Sequence, residues 1–80
     1  MYYVYILKSI NHEDKVYVGY SINLKARLQD HNAGESVYTK DYRPWKLIFY
    51  SSFIDKFKAL EFEKYLKSHA GRVFLQKRLV

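Results

Sequence analysis

Apolar residues fall along the chain in two kinds of pattern. Near the start, Tyr2, Tyr3, Val4, Tyr5, Ile6 and Leu7 run on without a polar break. All are strand formers. An unbroken apolar run, rather than an alternating one, predicts a strand over Met1–Lys8 that is covered on both faces and central in its sheet. Polar Ser9–Asp14 reads as a hairpin loop. Lys15–Gly19 reads as a second, short strand paired antiparallel with the first. Gly19 is expected to end it, since glycine takes positive φ without cost. The period then lengthens. Leu24 and Leu28 mark one face of a helix that Ser21 or Asn23 can cap, running to about Asn32 and stopped by Ala33 and Gly34. Glu35–Arg43 is a polar loop. After Pro44 comes a third strand, Trp45–Ser52, and Asp55 starts a second helix that runs through Ser68. Gly71 is expected to separate off a short last helix, Val73–Leu79. The order β-β-α-β-α-α predicts an α+β domain, one small sheet with helices packed on it.

Three features break this pattern, and they are where chemistry is sought. In the second helix Ala59, Leu60, Phe62 and Leu66 cluster on one face. Glu63 falls inside that cluster, about 40° from Ala59 by helical geometry, while Glu61 points to solvent. A carboxylate at the lip of a core needs a cation. The partner is either a Lys or Arg side chain or a bound metal ion. In the first helix Arg27 and His31 are four apart and lie one above the other beside the Leu24–Leu28 face. They could bind a phosphate and handle a proton. Equally, the Arg stem could pack on the core while His31 meets the helix C-terminal dipole. In the first strand Tyr3, Tyr5 and Leu7 share a face, and in the second Tyr17 and Gly19 share a face. Pairing would make Tyr5 and Tyr17 cross-strand neighbours, with Gly19 leaving room beside them for a ligand. The alternative is core tyrosines with satisfied hydroxyls.

Composition narrows the classes. Eighty residues allow one domain, residues 1–80, burying roughly 60–65% of its unfolded surface. Nine Tyr, five Phe and one Trp supply the bulk of so small a core. There is no cysteine, which excludes disulfides and thiolate zinc sites, and His12, His31 and His69 are too scattered for a zinc cage. No apolar run approaches the ~20 residues of a membrane span. The opening apolar run is stopped by Lys8 and lacks a cleavage site, so a cytoplasmic protein is expected. Fourteen Lys and Arg against eight Asp and Glu give a net charge of +6. Such a balance fits a polyanionic partner, most simply nucleic acid, although it also keeps a small protein soluble. Lys40, Arg43 and Lys46, around the entry to the third strand, are the candidates for contact with phosphates.

The same residues carry a resemblance. Tyr3-Val4-Tyr5 followed by Tyr17-Val18-Gly19 resembles the signature of the GIY-YIG nuclease superfamily. The likeness continues through Asn23–Leu28, His31-Asn32, Tyr38-Thr39, Arg43-Pro44-Trp45 and Ala59–Lys64 to Lys67, over nearly the whole chain. It is closest to the small, stand-alone bacterial members. Tyr3 stands where the signature has Gly, a variant that such members share. The resemblance implies a three-stranded antiparallel sheet flanked by helices and metal-dependent hydrolysis of phosphodiester bonds in nucleic acid, with DNA the expected substrate. It implies catalytic roles for Tyr5, Tyr17, Arg27 and His31, one Mg²⁺ or Mn²⁺ on Glu63, and Gly19 as a structural residue of the site. Without a separate DNA-reading module, sequence specificity is expected to be low. The rival is a non-catalytic nucleic-acid-binding or adaptor domain on the same fold.

Overall fold

The computed structural model describes residues 1–80. Strands β1 (Tyr2–Ser9), β2 (Val16–Ser21) and β3 (Trp45–Phe53) form one antiparallel sheet in the order β2-β1-β3. Helix α1 (Leu24–Ala33) follows β2, a short 3-10 turn (Lys40–Tyr42) precedes β3, and α2 (Lys56–Lys67) and α3 (His69–Arg78) complete the chain. The β-β-α-β-α-α order and α+β class are those expected.

β1 is central, and its side chains alternate between two cores, which is why its apolar run has no polar break. Val4 and Ile6 join Ala59, Leu66 and Leu75 under α2 and α3. Tyr5 and Leu7 join Trp45, with Leu24 and Leu28 packed on them, under α1. A register shift between Ile6 and Leu7 marks an irregularity in the β1–β3 ladder. Ladders of this kind locally strengthen strand twist.

Local chemistry sets the helix ends. The Asn23 side chain accepts from the Ala26 amide to cap α1, and Gly34 at φ 84° closes it in the left-handed region. Asp55 caps α2 by accepting from the amides of Phe57 and Lys58.

Two glycine expectations are corrected. Gly19 does not end β2. The strand continues to Ser21, and only Gly34 among the glycines has positive φ. Gly71 does not separate a last helix either. It lies inside α3, whose cap is Ser68, accepting from the Gly71 amide. A Cβ at Gly71 would collide with the Tyr65 carbonyl oxygen. Gly71 therefore lets α3 turn tightly against the end of α2, and its absent side chain, not its backbone freedom, is what the fold uses.

Candidate active site

The structure brings four of the expected residues into one cluster on the α1 face of the sheet. Alternation along β1 and β2 sends Tyr5 and Tyr17 to that face, and the i, i+4 spacing on α1 turns Arg27 and His31 toward them. Their rings lie close: Tyr17 meets His31 edge-on at 4.9 Å between centroids, and Tyr5 lies 5.8 Å from His31 and 6.3 Å from Tyr17. Tyr5 stands opposite Gly19 in the ladder and Tyr17 opposite Leu7, so the two tyrosines are diagonal rather than direct neighbours. The room above Gly19, expected to admit a ligand, is filled by the Tyr5 ring. A Cβ there would strike its Cζ and hydroxyl.

Burial divides the cluster. Tyr5 is 1% exposed and His31 fully buried, whereas Tyr17 is half-buried and the Arg27 side chain is 38% exposed. The Tyr5 hydroxyl and His31 Nε2 are 2.8 Å apart, and His31 Nδ1 is 2.7 Å from the Thr39 Oγ1. His31 is thus neither a surface residue of the last helical turn nor a residue open to substrate. Thr39 is itself fully buried. Its carbonyl accepts the Trp45 indole N–H at 2.8 Å. Asn32 braces the same tryptophan by bonding both its backbone amide (2.6 Å) and its carbonyl (3.1 Å).

Electrostatics follow from this packing. Burial pushes the Tyr5 phenol up to about 12, with the neighbouring Tyr17 adding to the shift, the Arg27 guanidinium opposing it, and the Glu63 charge contributing a little. Burial lowers the His31 pKa below 6.5, Arg27 lowers it further, and Asp30 pulls the other way. His31 is therefore neutral at pH 7. For Arg27, desolvation alone would lower the pKa, but the Tyr5 and Tyr17 oxygens beside its guanidinium outweigh that and raise it.

Glu63 lies on α2, which packs on the Val4–Ile6 side of the sheet, and it joins no hydrogen bond of the cluster; its charge is only weakly felt at the Tyr5 phenol. It is 20% exposed at its side chain, and its Oε2 is held by Lys67 Nζ at 3.2 Å, while Glu61 is exposed. The partner observed is the lysine of the two alternatives read from the sequence. No group of three or more His, Cys, Asp or Glu side chains forms a metal cage. A lone carboxylate is the donor set of a hard cation that keeps most of its shell as water and phosphate oxygens.

Two groups escaped the sequence reading. Thr39 was singled out only as part of a motif. Arg72 was not singled out at all, yet Tyr17, Lys67 and Arg72 line one groove of about 230 Å³ between β2 and the α2–α3 pair. No carboxylate pairs with Arg72. The signal available was the i, i+5 step from Lys67, legible only once the α2–α3 turn was known. Lys40, Arg43 and Lys46 are all exposed, at the start of β3 and in the turn before it.

A three-stranded antiparallel sheet with a Tyr–Tyr–Arg–His cluster beside its central strand points to a nuclease-type domain. The GIY-YIG catalytic domain family matches residues 1–78, and the chain belongs to that family. Among its relatives are proteins named UPF0213. One from Staphylococcus haemolyticus is 38% identical over 68 residues, covering 84% of this chain and 80% of the relative. One from Lacticaseibacillus paracasei is 35% identical over 79 residues, covering 94% and 86%. The solution NMR structure of a UPF0213 protein from Bacillus halodurans is similar with a TM-score of 0.56 at 28% identity, over 96% of this chain and 84% of that one.

Proposed function

We propose that this protein is an endonuclease that hydrolyses phosphodiester bonds in nucleic acid, with DNA the substrate and little sequence preference. The observation that carries this reading is the convergence of Tyr5, Tyr17, Arg27 and His31 on one face, with the charge of Glu63 felt at the Tyr5 phenol. Arg27, partly exposed and always charged, grips the non-bridging oxygens of the scissile phosphate. Tyr17, the more accessible tyrosine, puts its hydroxyl oxygen on the attacking water and orients it for in-line attack, the water's proton leaving to solvent. Tyr5 and His31 are too buried to touch substrate, so they act by holding Arg27 and Tyr17 in place. Glu63 is the residue that would hold one Mg²⁺ or Mn²⁺, with Lys67 giving way. When bound, such an ion supplies charge stabilisation to the leaving 3′ oxygen. Lys40, Arg43, Lys46 and Arg72 are the candidate phosphate contacts away from the cut.

The test is cleavage of duplex, flapped, branched and single-stranded DNA, and of RNA, with Mg²⁺ and with Mn²⁺, beside Glu63→Gln. Metal-dependent cuts lost in that variant support the reading. Binding without cuts under every condition overturns it in favour of an adaptor domain.

A further inference from the structure

Both ring nitrogens of His31 are engaged, and each contact is to a hydroxyl: Nε2 to Tyr5 at 2.8 Å and Nδ1 to Thr39 at 2.7 Å. A neutral imidazole carries one N–H and one lone pair, so it must donate to one hydroxyl and accept from the other. A phenol is the stronger acid of the two hydroxyls and an imidazole nitrogen the stronger base, so the favourable pairing sends the Tyr5 proton to Nε2. The surroundings favour the same choice. The cation nearest in charge to the Tyr5 phenol is the Arg27 guanidinium, which only donates, so it offers the phenol proton no competing acceptor and that proton goes to the ring. The aliphatic hydroxyl of Thr39 is then left to accept Nδ1–H.

We propose that Thr39 is a positioning residue, whose oxygen accepts the Nδ1–H of neutral His31, keeps Nε2 bare for the Tyr5 O–H, and so turns the Tyr5 oxygen toward Arg27. The hydrogen-bonded chain Thr39–His31–Tyr5 starts at a fully buried threonine and ends at a phenol whose charge is felt by the partly exposed Arg27 guanidinium. Thr39 is fixed at its other side, since its carbonyl holds the Trp45 indole. The charged and titratable groups around the ring are Tyr5 from β1, Tyr17 from β2, and Arg27 and Asp30 from α1. None of these supplies Nδ1 with the acceptor that Thr39 supplies. The effect on turnover rests on the nuclease reading above. The tautomer does not.

The experiment is a two-bond ¹H–¹⁵N correlation spectrum of the ¹⁵N-labelled full chain near pH 7, with kcat and KM measured on duplex DNA in Mg²⁺. In the parent, His31 Nε2 is expected to be the unprotonated nitrogen. Thr39→Val should move the ring toward the Nε2–H form and lower kcat by about tenfold, the kinetic equivalent of one lost neutral hydrogen bond, with KM nearly unchanged. Thr39→Ser should restore both. An Nε2–H ring in the parent overturns the proposal, and so does a Thr39→Val protein with the parent's tautomer and kcat. Should Thr39→Val fail to fold, the parent spectrum decides alone. A parent with bare Nε2 that cleaves nothing overturns the nuclease reading and leaves the hydrogen-bond assignment standing.

Discussion

Tyr5 and Gly19 face each other across the β1–β2 ladder, and the ring of the first occupies the volume that a side chain on the second would need. Gly19→Ala therefore displaces the buried phenol from His31 rather than narrowing a ligand cleft. The expected cost is about 1–3 kcal/mol of stability, as for other overpacked cores. Activity should fall with it. Urea denaturation of the variant checks this, and parent-like stability would mean that the Tyr5 ring has another place to go.

Glu63→Gln keeps the size of the side chain and removes its charge. Cleavage is expected to disappear while nucleic-acid binding and the fold persist. Glu61→Gln, on the exposed face of α2, should do little. Activity assays and equilibrium binding on both variants separate the two carboxylates, and full activity in Glu63→Gln would remove it from the metal site.

Arg27→Ala should lower turnover by about 10²–10³-fold, the range for loss of a donor to developing charge. Arg27→Lys should also be poor, because a point charge does not replace a planar fork lying beside two phenol oxygens. Parent-like rates in Arg27→Lys would reduce Arg27 to a surface charge.

The pH dependence of stability has a definite sign at each end. His31 has its pKa lowered by folding, chiefly by burial. Its contribution is complete above about pH 6.5, the unfolded value, and is lost as pH falls toward the folded value. Denaturant midpoints should drop on acidification through that window, and less so in His31→Gln. Tyr5 is shifted the other way, to about 12. Its neutral form is preferred by the fold, so that contribution is complete below about pH 10 and is lost as pH rises toward 12. An ultraviolet titration should show one late phenol that vanishes in Tyr5→Phe.

Binding carried by phosphates should weaken with salt at a log–log slope of about −3 to −4 on duplex DNA. Arg72→Ala should reduce the slope by about one if the groove beside Tyr17 carries the strand. The combined Lys40, Arg43 and Lys46 alanine variant tests the surface at the entry to β3 in the same way. A flat salt response of the parent, or a strong preference between two unrelated duplexes, would contradict phosphate-led binding.

What the residues announced and what they withheld have physical causes. The unbroken apolar run of β1 is a consequence of two cores meeting on one strand, so its central position was legible. Glu63 was legible because a carboxylate interrupts an apolar helical face, and Arg27 and His31 because four residues make one turn. Gly19 and Gly71 misled because glycine has two uses. Sequence displays its conformational freedom, while the fold here uses its missing side chain against a partner, Tyr5 or the Tyr65 carbonyl, that is distant or reversed in the chain. The burial of His31 was hidden for a similar reason. Its cover comes from Thr39 in a polar loop, and nothing in the loop's composition shows that one of its hydroxyls turns inward.

The pairing of β1 with β3 also sets an order of assembly. Tyr5, Tyr17, Arg27, His31 and Thr39 all precede Trp45, but Thr39 is tied to the Trp45 indole, and Asn32 to its backbone. Ser9, at the end of β1, likewise waits for Trp45 as its ladder partner. A nascent chain that has emerged only as far as Pro44 carries the cluster's tyrosines, arginine and histidine without the strand that holds them in register. The cluster is therefore held in register only once β3 closes a long loop onto β1, a contact of high sequence separation.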